Sequence, residues 1–375
     1  MTSVAAIFDH FDNLTDPRIQ RNKKHLLHEM VVVALCAAIC GAEGWADVER
    51  FGNTKLKWFR RFLKLENGIA SHDTFGRVFS LLDTTEFLNC LQVWVEQFQF
   101  AMRQQGVAID GKTIRRSFDQ ATGQSALHVV SAWATDLRVC LGQVAVDGES
   151  NEITAVPKLL ELLELTGAVV TLDAMHCQKE TATAIRNKSA DYLLTVKKNQ
   201  PNLHRELLEQ FVEYGEQDYQ VRGLRRQTTT EKGHGRQERR EYYVAPAPSH
   251  LQETWPDIKT IGMVYRQRQS NGKLHEETLF FISSLPPRVR KLAKHLRGHW
   301  GIENSLHWVL DVTFREDDSR IRKGNSPEIA SIFRKLALNI LQRDTTIKSS
   351  IRGKRLQAGW NNDVLEAILA GFNKL

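Results

Sequence analysis

The sequence predicts an α/β fold: a mixed sheet with flanking helices, a β-rich insertion and a helical domain at the N-terminus. Three observations carry this. Apolar residues up to about position 100 recur at helical spacing. From about 104 the pattern changes to β-type runs and helical periods in the order β, β, β, α, β, α, β. Between about 205 and 285 the helical alternation stops and short β-type runs follow a basic segment. Three successive strands read as a meander, and later strands separated by helices read as parallel. The expected layout is therefore a helical domain at 1–100, a core in two parts at 101–204 and 286–375, and the insertion at 205–285.

Composition sets the outer limits. The 375 residues are 42% hydrophobic and 25% charged, which excludes a disordered or fibrous chain. Lys and Arg total 51 against 44 Asp and Glu, a formal charge of +7 that permits a polyanion partner without demanding one. The longest uncharged apolar run, Met30–Cys40, is too short to span a bilayer, and the first residues lack the basic and apolar regions of a secretory signal. Five cysteines without a CxxC pair point to a reduced, cytoplasmic protein with no structural zinc.

Along the chain, Leu26, Met30, Val33 and Cys36 share a helical face, and Cys36 and Cys40 read as small buried thiols. Lys55 to Lys64 holds five basic residues with aromatics between them; it suits either a DNA phosphate backbone or a solvated amphipathic helix. Ser71 or Asp73 caps a helix start. Val107–Asp110, Leu127–Ala134 and Val139–Val146 are the first strands, with a turn at 135–138. Ile153–Leu165 and Thr181–Lys188 are helical, while Ala168–Asp173 and Tyr192–Val196 are strands. Asn199 and Gln200 read as caps for a helix starting near Pro201. Residues 221–240 carry seven basic and two acidic side chains, and β-type runs follow at Tyr242–Val244, Ile261–Tyr265 and Thr278–Ile282. After Pro286-Pro287 a helix from about Val289 carries His299, Trp300, Glu303, His307, Trp308 and Asp311, and another runs from about Glu328 to Gln342.

Two of these strands end in a lone carboxylate, Asp110 and Asp173. Acids at neighbouring strand tips repel unless a cation lies between them, and oxygen-only ligands favour Mg²⁺ or Mn²⁺. A third carboxylate completes a two-ion site for phosphodiester chemistry. Glu303 is the best candidate, with His299 and His307 one turn either side; Asp311 and Glu316 are the fallback choices. A zinc site from His299, Glu303 and His307 is the rival, but no HExxH motif is present and it leaves both aspartates without a role. Trp300 and Trp308 read as core packing, and His176 and Cys177 as packed neighbours of Asp173.

Six motifs stand out: Ile109-Asp-Gly-Lys-Thr-Ile-Arg115, Leu172-Asp-Ala-Met-His-Cys-Gln178, Leu194-Thr-Val-Lys-Lys-Asn-Gln-Pro201, Gly233-His-Gly-Arg236, Arg297-Gly-His-Trp-Gly-Ile-Glu-Asn304 and Leu310-Asp-Val-Thr-Phe-Arg-Glu-Asp317. Together they resemble the H-repeat-associated transposases, an insertion-sequence family of the DDE, RNase H-like superfamily. The resemblance covers essentially the whole chain. It implies an RNase H-like core, an N-terminal segment that recognises DNA, and Asp110, Asp173 and Glu303 as the catalytic, metal-binding triad for two Mg²⁺ or Mn²⁺ ions. One feature departs from related transposases, which carry Tyr, Arg and Lys around the glutamate. Here those positions are Leu296, His299 and Leu310.

The chemistry so implied is cleavage of a DNA strand at the element's ends, leaving a 3′-hydroxyl that attacks target DNA. The expected partners are double-stranded DNA and a second copy of the chain on that DNA, with no membrane or small-molecule substrate, at the nucleoid of the cytoplasm. Lys112, Arg115, Lys197, Lys198, His234, Arg236, Arg297 and His299 are the candidate DNA contacts. A DNA-binding relic without activity and a structure-selective nuclease on the same fold are the alternatives.

Overall fold

The computed structural model describes residues 11, 14–19, 23–96, 102–146, 151–233, 236–270 and 273–370. Nine strands make one mixed sheet in the order β3-β2-β1-β4-β5-β9-β8-β7-β6. They are β1 (Gly106–Thr113), β2 (His128–Ala134), β3 (Val139–Ala145), β4 (Val169–Leu172), β5 (Asp191–Val196), β6 (Arg225–Gly233), β7 (Arg236–Pro246), β8 (Thr260–Ser270) and β9 (Lys273–Ser283). The first five lie as the pattern predicts: β2 and β3 antiparallel, and β1, β4 and β5 parallel. These five strands form the mixed-sheet core.

By contact the chain forms two compact units. One comprises residues 1–100, 111–151 and 303–375, and the other residues 101–110 and 152–302.

In the first unit the helices are α1 (Leu27–Ile39), α2 (Trp45–Thr54), α3 (Leu56–Phe59), α4 (His72–Leu81) and α5 (Thr84–Glu96). Ser71 caps α4 by accepting from the Thr74 amide at 3.3 Å. Helix α1 is apolar on nearly every side and therefore buried on nearly every side. Cys36 lies within it, and burial pushes its thiol well up; the Cys40 thiol is pushed up to about 12. The helix Ser326–Arg343, with Pro327 in its first turn, packs against α1, α4 and α5. Phe333 meets Phe79 and Phe87 edge-on, with ring centroids 5.5 and 4.9 Å away. The same helix is tied to β3 by Asn339, whose amide donates to the Cys140 carbonyl at 2.9 Å and accepts from its N–H at 2.8 Å. The N-terminal helices thus share a core with the chain's end. In the basic, aromatic stretch Trp58 and Phe59 are buried, while Lys57, Arg60, Arg61 and Lys64 point outward.

The second unit holds α6 (Glu152–Leu162), α7 (Lys179–Asn187), α8 (Pro201–Glu216), α9 (Ser249–Thr254) and α10 (Val289–His299). The inserted strands are longer than the sequence pattern suggests, and the hydrophilic β6 lies in what reads as a basic segment. They extend the core sheet instead of folding apart from it: β9 pairs antiparallel with β5 from Leu193↔Ser283 to Val196↔Phe280. Val169, Leu193, Val244, Phe281, Leu292 and Leu296 form one buried cluster that joins the core strands, the insertion and α10. Residues 201–216, which the sequence places partly in the insertion, are helical. No helix among the described residues is long and apolar enough to cross a membrane.

Candidate active site

The site begins with strand register. β1 and β4 run parallel with Gly106 opposite Val169, Val107 opposite Val170 and Ala108 opposite Thr171. The same offset carried two residues further sets Asp110 against Asp173, both at the carboxyl ends of their strands. Neighbouring strands are about 4.8 Å apart, so the register brings the two carboxylate-bearing positions side by side. Side chains two residues apart share a face, so Asp173 lies on the face that carries Thr171.

That face is covered by the end of α10. His299 Nδ1 lies 3.0 Å from Thr171 Oγ1. Burial pushes its imidazole down to about 4, and the Asp173 carboxylate only partly opposes this. His299 is therefore neutral near pH 7. His299, a candidate DNA contact in the sequence, is here a hydrogen-bonding partner of the strand through Thr171.

Asp173 also shapes the next turn. Its carboxylate accepts from the Met175 amide at 3.2 Å and caps the 3-10 turn Ala174–His176. Asn199 and Gln200, expected as helix caps, instead brace this turn. Asn199 Nδ2 donates to the Ala174 carbonyl at 2.5 Å and Gln200 Nε2 to the Cys177 carbonyl at 2.8 Å, and α8 has no side-chain cap. His176 is fully buried, with Nε2 3.1 Å from Glu152 Oε2. Cys177 is also buried, which pushes its thiol up to about 12.

The helix expected to run unbroken through Glu303 does not do so. α10 stops at His299, and a π-helical turn spans Glu303–His307 before α11 (Trp308–Val312). Extra-residue turns of this kind recur at functional sites. Glu303 is exposed at its start and belongs to the first compact unit, whereas Asp110 and Asp173 belong to the second. Among the described residues no three His, Cys, Asp or Glu side chains gather as a metal-ion cage.

Other expected residues fall in varied surroundings. Arg297 makes a two-pronged pair with Glu231 of β6, at 3.1 and 2.6 Å. Glu231 also pairs with Arg240 at 3.3 Å. Arg240 and Arg266 stack over the Trp300 ring, their guanidinium carbons 5.5 and 5.3 Å from its centroid. Trp300 therefore takes a cation–π contact with the insertion, where the sequence suggests plain core packing. Trp308, also read as a core residue, is 58% exposed. Lys197 and Lys198 are exposed just beyond β5, and Arg115 is exposed although 3.2 Å from Asp317. His234 and the Arg236 side chain lie outside the described residues.

Lys112 is the clearest surprise. Only 9% of its side chain is exposed, and its ammonium lies 2.7 Å from Asp311, 2.9 Å from Asp317 and 3.4 Å from Glu316. An ammonium so enclosed is not presented to a DNA phosphate. The same cluster occupies Asp311 and Glu316, the fallback metal ligands. No local pattern announces this arrangement, because the partners lie about two hundred residues from Lys112 in sequence.

The match to known proteins follows this geometry. Residues 101–340 match the family described as Transposase DDE domain, and residues 8–95 match the segment described as DDE_Tnp_1-associated. This chain belongs to the DDE transposase family. It is 38% identical to "Putative transposase YncI" of Escherichia coli O157:H7 over 100% of this chain and 96% of that protein. It is 36% identical to "H repeat-associated putative transposase YhhI" of Escherichia coli strain K12, over 97% of this chain and 98% of that one. The H-repeat-associated group is therefore the branch to which this transposase-family chain belongs.

The His299 environment makes a pH prediction. Between about pH 6.5 and 4 the unfolded chain takes up a proton at this position that the folded chain refuses, so His299 lowers stability as pH falls through that window. Nuclear magnetic resonance of the folded protein should show the His299 ring titrating near 4, and a midpoint above 6 contradicts the enclosed, neutral imidazole.

Proposed function

We propose that this chain is an active DDE transposase that cuts DNA at the ends of its insertion sequence and joins the freed 3′ ends to target DNA. The observation that carries the reading is the in-register pair Asp110 and Asp173 at the tips of adjacent parallel strands. Two carboxylates so placed repel one another unless a cation intervenes, and all-oxygen donors suit Mg²⁺ or Mn²⁺. Asp110, Asp173 and Glu303 are the residues that would hold a pair of such ions. When bound, such ions would supply Lewis-acid stabilisation for phosphodiester cleavage and transfer.

The chain's own residues supply the frame. The Asn199 and Gln200 braces hold the turn that begins at Asp173, and the neutral His299 packs over β4 without adding charge to the site. Arg115, Lys197 and Lys198 are exposed cations near the ends of β1 and β5, suited to the DNA backbone. Residues 1–100 recognise the element's ends, and the basic insertion clamps DNA through side chains such as Arg225, Arg226 and Lys232, all exposed on β6. The protein works as two copies on double-stranded DNA at the nucleoid. The presence of all three carboxylates, with the first two in register, favours this reading over a binding-only relic.

Asp110→Asn, Asp173→Asn and Glu303→Gln should each abolish Mg²⁺- or Mn²⁺-dependent nicking of DNA carrying the element's ends, while the protein still binds that DNA. Binding without cleavage by the wild type in both metals establishes the relic, and cleavage without joining in a strand-transfer assay establishes the nuclease. Replacing Arg225, Arg226 and Lys232 with Gln should weaken DNA binding uniformly across sequences and flatten its salt dependence by about one unit per lost phosphate contact. An unchanged slope rejects the clamp.

A further inference from the structure

We infer that the last two described helices and the basic segment Lys55–Lys64 form one surface for the backbone of duplex DNA. The inference rests on the DNA-recognition reading of residues 1–100 above. The helix Ser326–Arg343 is α12, and after it come α13 (Ile351–Trp360) and α14 (Asn362–Ala370). Ser350 caps α13 by accepting from the Gly353 amide at 3.1 Å. Within the first unit, side-chain bonds set this helical pair beside the basic segment. Lys55 Nζ donates to Asn362 Oδ1 at 2.6 Å, and Glu366 Oε1 accepts from Trp58 Nε1 at 2.6 Å and from Arg61 at 2.7 Å. Gly359 is pressed against the end of α1, where a β-carbon would lie 3.3 Å from the Cys40 carbonyl oxygen.

Charge on α13 is sorted by face. Residues 345–362 hold Lys348, Arg352, Lys354 and Arg355 and no acid. Lys354 and Arg355 turn inward and are buried. The Lys354 ammonium donates to the Leu341 carbonyl at 3.0 Å and lies 2.9 Å from Asp344 Oδ2. Arg355 donates to the Ala38 carbonyl at 3.1 Å, with its guanidinium carbon 4.0 Å from the centroid of the Phe314 ring. These two cations hold the helix down. Lys348 and Arg352 are exposed instead. Arg352, Leu356 and Trp360 are four residues apart and so share one stripe of the helix. Leu356 is 41% exposed and Trp360 76%. The neighbouring segment adds Lys57, Arg60, Arg61 and Lys64, all exposed. Asp363, the first acid after Asp344, sits in the first turn of α14, where the helix terminus offsets its charge.

An exposed leucine alone needs no explanation, but so open an indole beside a row of cations does. The charge decides the occupant. A second copy meeting this surface about a twofold axis would set Lys348 and Arg352 against their own counterparts, and like charges oppose that contact. Duplex DNA suits both halves of the surface. The cations meet phosphates, while the tryptophan lays its apolar body on a deoxyribose and donates its Nε1–H to a phosphate oxygen. α13 in this role holds the backbone and reads no base, so both ends of the described chain grip one duplex.

The test uses the full-length chain and fluorescence anisotropy over a range of salt, with one labelled duplex carrying the element's end and another of random sequence. Arg352→Gln should flatten the salt dependence on both duplexes by about one phosphate contact, while Arg352→Lys keeps it. Trp360→Ala should weaken binding to both on the order of 10-fold with the salt slope kept. Both side chains are exposed, so thermal unfolding should match the wild type. Folded Arg352→Gln and Trp360→Ala with wild-type affinity and slope overturn the inference. Loss of a dimer by Trp360→Ala in sedimentation without DNA, at unchanged DNA affinity, also overturns it and assigns the surface to a second copy. Lys57→Gln separates the inference from the reading beneath it. A flattened slope there, with none for Arg352→Gln, keeps residues 1–100 on DNA and takes α13 off it. A wild type that binds neither duplex overturns the DNA-recognition reading as well.

Discussion

Parallel pairing of β1 with β4 is the constraint on which the rest of the site depends. A parallel ladder admits only whole-residue offsets, and a slip of one residue would turn every side chain to the opposite face. The offset present here is the one that equals the separation of Asp110 and Asp173 in sequence. Apolar strands hold it in place. Val107, Ala108 and Ile109 on one side and Val169, Val170 and Leu172 on the other are wholly buried, so slippage would expose or displace the core of the sheet. The two acids follow as the first polar positions past that buried ladder.

Charge is used differently in the two units. In the second unit, arginines of the insertion pair with Glu231 and Glu238 and cover Trp300, so that the inserted strands reach the end of α10 through cations over an aromatic face. In the first unit, Lys112, Arg334 and Lys335 are matched against the buried Glu316 and the half-buried Asp311 and Asp317. Exposed pairs such as Arg297–Glu231 contribute little to stability and are screened by salt. The buried cluster differs, because removal of one member leaves its partners uncompensated in a poorly solvated place.

Much of the core was legible from sequence because its signals are local. Short apolar runs ending in Asp110 and Asp173, the helical periods between strands, and the Ser71 cap each depend on a few adjacent residues. β6 was not legible, since its hydrophilic, largely exposed face lacks the apolar alternation that marks a half-buried strand. The interruption after His299 was equally silent: the same residues that suggest a continuous helix also form the π turn. Contacts made across long sequence separations escaped entirely. Lys112 read as a surface cation until Asp311, Glu316 and Asp317 folded around it, and His299 read as a possible charge until the strand enclosed it. The third carboxylate, Glu303, was read from its helix face between His299 and His307 and then from the family resemblance, because strand register does not assign it.

The proposed chemistry needs Asp110, Asp173 and Glu303 to hold metal together when DNA is bound. Anomalous scattering from Mn²⁺-soaked crystals of the protein–DNA complex tests this most directly. Mn²⁺ peaks at the Asp110, Asp173 and Glu303 carboxylates are the expected result. Ordered DNA with Mn²⁺ bound elsewhere, or with Glu303 turned away from the two aspartates, contradicts it.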